Sequence, residues 1–263
     1  MPREKRDAAS AGAASWSRRP RRRATFLSVV GELLITAGVV ALLYVTWQLW
    51  VGDAIIGAQK HAEAEALSQE WLDGGRPSTP SSPESSPAPT DPDASDVPVP
   101  AAPERAEPFG VMFVPRFGAD WRFAVAGGVT RRDVLDEGFV GHYDDTALPG
   151  EVGNAAFAAH RWTSGAPFDP IDRLVVGDAI VVQTSDGWYT YRFRTLEYVQ
   201  ETQVDVLAPV PRTELQADGR YLTLTSCAPK LNMLERIIAY ALFESFTPTA
   251  DGPPASLTEE EPA

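Results

Sequence analysis

Cysteine and histidine are both scarce in this sequence. Its 263 residues include one cysteine, Cys227, and three histidines, His61, His142 and His160. One cysteine excludes a disulfide within the chain, and it also excludes a structural zinc site built from several cysteines. The single thiol therefore needs another explanation.

Basic residues are also in the minority. The chain has 23 Lys and Arg against 36 Asp and Glu, which gives a formal net charge of −13. Proteins that bind nucleic acid rely on clustered cations, so this balance argues against nucleic acid as a partner. The charge is unevenly placed, because residues 1–23 sum to +6 and leave −19 for the remainder.

Charged residues are almost missing from residues 26–51, where Glu32 is the one exception. About 20 mostly apolar residues suffice to cross the hydrocarbon layer as a helix. The stretch is longer than the apolar region of a signal peptide. Trp47 and Trp50 near its end suit the membrane interface. We therefore predict a transmembrane helix, with a buried globular helix as the alternative.

A basic cluster at residues 18–23 precedes this span. By the positive-inside rule, such clusters stay in the cytoplasm. The rule therefore predicts a cytoplasmic N-terminus and an external location for everything after about residue 52. Contact with nucleic acid is an alternative use of the cluster. The predicted location is the cell membrane, with a single pass and an extracellular domain.

The rest of the chain divides by composition. Residues 52–107 begin with an Ala- and Glu-containing stretch that predicts a helix over 53–72, and continue as a Pro- and Ser-rich linker that we expect to be disordered. Residues 108–248 have the composition of one compact domain. An acidic tail, residues 249–263, is also expected to be disordered, and residues 1–25 are expected to form a basic cytoplasmic tail.

Strand patterns dominate the compact domain, and turn residues separate them. This favours an all-β sandwich or closed barrel. A short helix is predicted over 129–138, with Thr130 as its N-cap. Residues 231–246 allow either a strand or a helix, and we favour the strand. The predicted strands are 111–117, 121–126, 154–161, 179–184, 188–199, 220–227 and 237–246.

Three side chains near predicted strand ends could perform chemistry. Cys227 is followed by Ala228 and by Pro229, which ends a strand, and its alternative role is that of a small buried hydrophobe. His160 could form a thiolate–imidazolium pair with it. Arg236 could donate hydrogen bonds to an oxyanion.

The motifs around these residues resemble those of one family. TLTSCAPKLNMLER, residues 223–236, resembles the sortase signature in which a cysteine nucleophile is followed by an arginine. GNAAFAAHRWTSGAPF, residues 153–168, resembles the segment around the sortase histidine, and GHYDDTALPGEVGN, residues 141–154, resembles the loop before it. The spacing is most similar to class E sortases of actinobacteria, which are Gram-positive.

The resemblance implies a closed β-barrel of about eight strands with one or two short helices. It implies a transpeptidase that needs no cofactor and no metal. Its partners would be surface proteins with a C-terminal LAxTG or LPxTG signal and an amine of a peptidoglycan precursor. The implied roles are nucleophile for Cys227, general acid and base for His160, oxyanion stabilisation for Arg236, and substrate binding for Thr225, Ser226 and His142.

Two positions depart from the family pattern, since Ser226 replaces a threonine and Ala159 replaces a glycine. Neither change removes a group that the mechanism needs. Two rival functions remain open: a cysteine hydrolase, and a surface binding module whose cysteine is merely buried. A cation site at His142, Asp144 and Asp145 is a weaker alternative, because no full set of oxygen ligands is visible.

Overall fold

A computed structural model describes residues 26–47, 52–74, 97–230 and 233–258. The chain forms two compact units, residues 1–46 and residues 47–263. The predicted basic tail, Trp50 and most of the predicted Pro-rich linker lie outside the described residues.

Helix α1, Phe26–Thr46, has 21 residues and buries none of them within the protein. Its length is about 31 Å at 1.5 Å per residue, which matches the hydrocarbon thickness of a bilayer. The hydroxyls of Thr36 and Thr46 donate to the main-chain oxygens of Glu32 and Leu42. The helix is thus long and apolar enough to span a membrane.

The described part of the second unit forms a closed barrel of eight strands, which confirms the all-β barrel expected from the resemblance. The order around the barrel is β1-β2-β3-β4-β7-β8-β6-β5, and β5 pairs with β1 to close it. The strands are β1 Pro108–Phe113, β2 Arg122–Gly127, β3 Val140–His142, β4 Gly153–Ala158, β5 Ala179–Gln183, β6 Gly187–Gln200, β7 Arg220–Ala228 and β8 Glu235–Pro248.

Two of the pairings determine where the strand ends meet. Strands β4 and β7 run parallel, so their carboxyl ends lie at the same edge of the barrel. Strand β8 runs antiparallel to β7, so it begins at that edge. The residues just after β4, at the end of β7 and at the start of β8 are therefore neighbours.

The barrel interior is filled by large side chains, as alternation along the strands predicts. Burying each of them contributes roughly 1.5–3 kcal/mol. Tyr191 is among them, and burial raises its pKa to about 12, so its hydroxyl stays protonated and accepts a hydrogen bond from Gly150 N–H at 3.0 Å. The other largest fully buried members are Tyr189, Phe123, Phe157, Phe168, Met112, Ile171, Ile180, Leu222, Leu224 and Ile237.

Helix α2, Gly52–Gly74, packs outside the barrel against β2. The His61 ring lies 4.6 Å from that of Phe123, and its Nδ1 lies 2.7 Å from the main-chain oxygen of Arg122. Glu65 forms an ion pair with the Arg122 side chain. The predicted helix over 53–72 is present, and it packs against the barrel through β2.

Several predicted boundaries need correction. The predicted strand 111–117 ends at Phe113, because a 3₁₀ turn begins at Pro115. The predicted strand 154–161 ends at Ala158, which leaves His160 beyond the ladder. The alternative helix for residues 231–246 is wrong, since β8 begins at Glu235.

The predicted helix over 129–138 is reduced to a π-helical turn, Arg131–Leu135. Thr130 precedes it without a side-chain cap, and its hydroxyl is buried with no partner. Strand β3 was not predicted, because three residues are too few to show an alternating pattern. Four further 3₁₀ turns and a short helix α3 complete the described chain: Pro115–Phe117, Ile171–Arg173, Val204–Leu207, Thr249–Asp251 and Ala255–Thr258.

Candidate active site

The register of three adjacent strands brings the candidate residues together. Thr225 of β7 is the register partner of Ala158 on β4, and Ala159 N–H donates to Thr225 O at 3.3 Å. His160 lies two residues after Ala158, and Cys227 lies two residues after Thr225. Neighbouring strands lie about 4.8 Å apart, so the thiol and the imidazole start from adjacent main-chain positions.

Arg236 approaches from the other side of β7. It is the antiparallel register partner of Cys227 and the second residue of β8. Register partners project their side chains to the same face of a sheet, so the guanidinium and the thiol share one face.

These residues line a single cavity of about 310 Å³. That volume is at the lower end of the range for small-ligand sites. Thr225 and Ser226 also contribute to the wall, so five of the six residues expected at the site are brought together. Other prominent lining residues are Tyr143, Trp162 and Met233.

Strand β7 is held in place beside β4 by two hydroxyls. Thr225 Oγ1 donates to Phe157 O at 3.2 Å, and Ser226 Oγ donates to Ala159 O at 2.8 Å. Both side chains are buried. The serine that replaces threonine therefore keeps the hydrogen bond that fixes the segment before Cys227.

Cys227 itself is half-buried and is a free thiol. Its main-chain oxygen faces Arg161, whose Nη1 donates at 3.5 Å. Arg161 is buried, and its other terminal nitrogen contacts Asp172 at 2.7 Å. We did not predict a role for Arg161 from the sequence, although it directly follows His160.

His160 is paired with a carboxylate from another segment. Its Nε2 lies 2.8 Å from Asp136 Oδ1, and its side chain is 14% exposed. The hydrogen bond from His160 lowers the pKa of Asp136 below its ordinary value. Asp136 lies 24 residues upstream, just after the π-helical turn, and nothing in the local sequence predicted the contact.

The Arg236 guanidinium is oriented by three acceptors. Its Nη1 donates to the main-chain oxygens of Met233 at 3.1 Å and Glu235 at 3.0 Å. Its Nη2 donates to Glu201 Oε2 at 3.0 Å. These bonds hold the planar fork in one orientation at the cavity wall, which a donor to a developing oxyanion requires.

His142 is not part of the cavity wall. It is 2% exposed, its ring lies 5.8 Å from that of Phe109 and 5.3 Å from that of Phe157, and its Nε2 lies 2.8 Å from Ala147 O. Burial lowers the pKa of His142, so the ring is held neutral. The structure therefore gives the expected substrate contact no support and shows a structural hydrogen bond instead.

The residue after His142 does reach the site. Tyr143 lines the cavity, and its hydroxyl lies 3.0 Å from Thr225 Oγ1. Burial raises the pKa of Tyr143, so the hydroxyl stays protonated.

The described residues contain no group of three or more His, Cys, Asp or Glu placed to hold a metal ion.

A half-buried thiol, an imidazole paired with a carboxylate, and a fixed guanidinium in one cavity are the components of acyl transfer through a thioester. In chemistry of that kind a thiolate serves as the nucleophile, an imidazole moves a proton, and a guanidinium stabilises an oxyanion.

Comparison with known proteins gives consistent results. The family model described as Sortase domain matches residues 112–244. Sortase SrtE1 of Streptomyces coelicolor is 32% identical over 248 residues, which cover 92% of this chain and 64% of that protein. The chain thus spans less than two thirds of that relative. Sortase SrtE2 of the same organism is 32% identical over 234 residues, covering 85% of this chain and 84% of that protein.

The fold is also similar to that of solved structures. The crystal structure of Sortase E1 from Streptomyces coelicolor with a tripeptide in the active site has a TM-score of 0.55 and 34% sequence identity to this chain. The match covers 59% of this chain and 99% of that one.

Proposed function

Because the chain belongs to the sortase family of cysteine transpeptidases, we propose that it cleaves the Thr–Gly bond of a C-terminal sorting signal and joins the released protein to an amine. The signal would be of the LAxTG or LPxTG type, and the acceptor an amine of a cell-wall precursor. The proposal rests above all on one observation: His160 just after β4, Cys227 near the end of β7 and Arg236 at the start of β8 line one cavity.

The first half of the reaction forms a thioester. The Cys227 thiolate attacks the threonine carbonyl, and Arg236 donates hydrogen bonds to the oxyanion. Protonated His160 gives its proton to the glycine nitrogen as the C–N bond breaks. The glycine-containing fragment leaves with a free amine.

The second half consumes the thioester. An acceptor amine attacks the same carbonyl, and neutral His160 takes the proton that the amine loses. The C–S bond breaks and the Cys227 thiolate is restored. One imidazole thus serves as acid and then as base, so no second proton-transfer residue is required.

We further propose that α1 anchors the enzyme in the cell membrane, with its N-terminus in the cytoplasm and residues 108–248 outside as the catalytic domain. Substrates that stay tethered to the same membrane would then meet the enzyme at a raised effective concentration. The length and apolar character of α1 support the anchor, and the basic cluster at residues 18–23 supports the orientation.

The test is a ligation assay on the full-length protein in detergent. LAxTG and LPxTG peptides are supplied with an amine acceptor, and products and the acyl-enzyme are identified by mass spectrometry. Wild type is expected to give the ligated product and a Cys227 thioester. Cys227→Ala is expected to give neither, a loss of at least about 10³-fold.

Two results would contradict this function. Release of the free threonine acid without ligation, at every acceptor concentration, would indicate a cysteine hydrolase. Processing that survives Cys227→Ala would indicate that the cysteine is not the nucleophile. Ser185→Ala is the control, because it removes an exposed hydroxyl that is absent from the cavity wall and leaves the thiol in place.

A further inference from the structure

A carboxylate that lies outside the Cys227–His160–Arg236 set contacts the imidazole directly. We propose that Asp136 is a positioning residue that holds His160 by its Nε2 and stabilises its protonated form, so that the other ring nitrogen, Nδ1, exchanges the proton with substrate. The inference rests on the proposed function for the substrate, but the contact itself is a property of the free protein.

The geometry of the pair is that of a charge-assisted hydrogen bond. The Nε2–Oδ1 distance is 2.8 Å, within the range for a cationic N–H donor and a carboxylate. The imidazole side chain is 14% exposed and the carboxylate is 45% exposed. The interaction is thus partly shielded from water on the His160 side.

The place of Asp136 in the fold keeps the carboxylate near the ring. Asp136 follows the π-helical turn Arg131–Leu135, and its own N–H donates to Arg131 O at 2.6 Å. Val134 of that turn is fully buried. An exposed carboxylate therefore stands on a main chain that packing against the barrel fixes, so only its short side chain has to be ordered when it meets the imidazole.

The electrostatic need for an anion arises from the cations in the same cavity. Arg131 and Arg236 both line the cavity with His160, and like charges disfavour the protonated imidazole. Asp136 opposes that effect from the Nε2 side. The other titratable groups that line the cavity or adjoin the ring are Tyr143, Cys227 and, next in the chain, Arg161.

Arg131 is the competing partner of the carboxylate. Its Nε lies 3.4 Å from Asp136 Oδ1, and its side chain is 69% exposed. The bond to His160 is both shorter and more shielded, so the imidazole is the stronger partner. Arg131 then acts on Asp136 mainly through charge attraction, which favours the ionised carboxylate.

The experiment compares Asp136→Asn with Asp133→Asn in the full-length protein. Both variants remove one carboxylate from the same short segment, but Asp133 is exposed and lies within the turn rather than beside His160. Asn at 136 keeps an acceptor oxygen and removes the charge. For each protein, kcat/KM for ligation is measured across the pH range, together with thermal stability.

The ratio of kcat/KM for Asp136→Asn to kcat/KM for wild type is expected to depend on pH. At acidic pH the imidazole is protonated with or without Asp136, so the variant and wild type have nearly equal kcat/KM. As the pH rises, kcat/KM of Asp136→Asn falls relative to that of wild type until it is about threefold lower. The reason is that fewer molecules of the variant retain the proton on His160. The loss appears in kcat/KM at unchanged melting temperature, and Asp133→Asn matches wild type throughout.

A readout that uses no peptide separates this inference from the function it rests on. Ring ¹⁵N signals report the protonated fraction of His160, and with three histidines in the chain a His160→Gln sample assigns them. At neutral pH the protonated fraction is expected to be lower in Asp136→Asn than in wild type or Asp133→Asn. Equal fractions, or a kcat/KM ratio that does not vary with pH, would overturn the role of Asp136 whether or not ligation is observed.

Discussion

Two histidines near the ends of neighbouring strands show how position decides the use of one residue type. His142 ends β3, where it pairs with Phe157 of β4, and His160 lies three residues beyond Phe157. His142 is 2% exposed and contacts a main-chain oxygen, whereas the His160 side chain is 14% exposed and contacts a carboxylate.

The difference teaches which environment suits proton transfer. Burial in an apolar setting favours the neutral ring and lowers the pKa of His142, and this effect outweighs the hydrogen bond to Ala147 O, which favours the charged ring. A carboxylate beside an imidazole at a cavity wall can stabilise the charged ring and still leave it open to substrate. His160 stood at a predicted strand end and His142 lay outside the predicted strands, so the sequence alone did not show which of the two rings would be buried.

Exchanging each histidine for glutamine is the strongest way to break this comparison. His160→Gln is expected to lower kcat/KM for ligation by about 10³-fold with a normal melting temperature, because it removes the proton-transfer group. His142→Gln is expected to lower the free energy of unfolding by about 1–2 kcal/mol, because the hydrogen bond between the imidazole and Ala147 O is lost.

Ligation rates and denaturant unfolding curves measure the two effects. The folded His142→Gln protein should retain kcat/KM within about threefold of wild type, since the ring is absent from the cavity wall. A large loss of activity in a fully folded His142→Gln protein would show that the two sites are coupled.

The next prediction sharpens the comparison by testing the cation opposite His160. Arg236→Lys is expected to lower kcat/KM by about 10²-fold, because an ammonium cannot replace a planar fork held by three acceptors. Single-turnover acylation measured by mass spectrometry isolates the step.

Glu201→Gln is the matched control for that variant. It weakens one exposed partner of Arg236 and leaves the two main-chain acceptors, so a change below about fivefold is expected. Near-normal acylation in Arg236→Lys would show that Arg236 does not stabilise the oxyanion.

The smallest expected effect is on the pH dependence of stability. The folded state holds His142 neutral with a lowered pKa, whereas the unfolded chain takes up a proton near the ordinary value of about 6.5. The unfolded state therefore binds more protons as the pH falls below that value, and the free energy of unfolding decreases. Above it the ring is neutral in both states and contributes nothing.

Urea unfolding at pH 7 and pH 5 measures this decrease. His142→Gln should show a smaller decrease in the free energy of unfolding than wild type, because the group that takes up a proton on unfolding is gone. An identical decrease in both proteins would place the pH dependence on other groups.

Much of the active site could be predicted because its signals are local. Pro229 indicated that a strand ends near Cys227, and β7 does end at Ala228. The residue types at Cys227, His160 and Arg236 are those that acyl transfer needs, and their motifs resembled one family. The cavity brings together all three, with Thr225 and Ser226.

Other features depended on contacts between distant segments. Asp136 reaches His160 from 24 residues away, and α2 packs on β2 through His61 and Phe123. The short strand β3 has no alternating pattern of its own, and only its pairing with β2 and β4 defines it. Such contacts leave no periodic trace in either partner.

The sequence by itself determined the apolar helix, the strand-rich domain and the three reactive side chains, because each depends on residue type and on short-range pattern. Only the tertiary structure decided the parallel register of β4 and β7, the carboxylate beside His160 and the burial of His142. Each of these is set by packing between segments far apart in the chain, and packing free energy is a property of the assembled barrel rather than of any one segment.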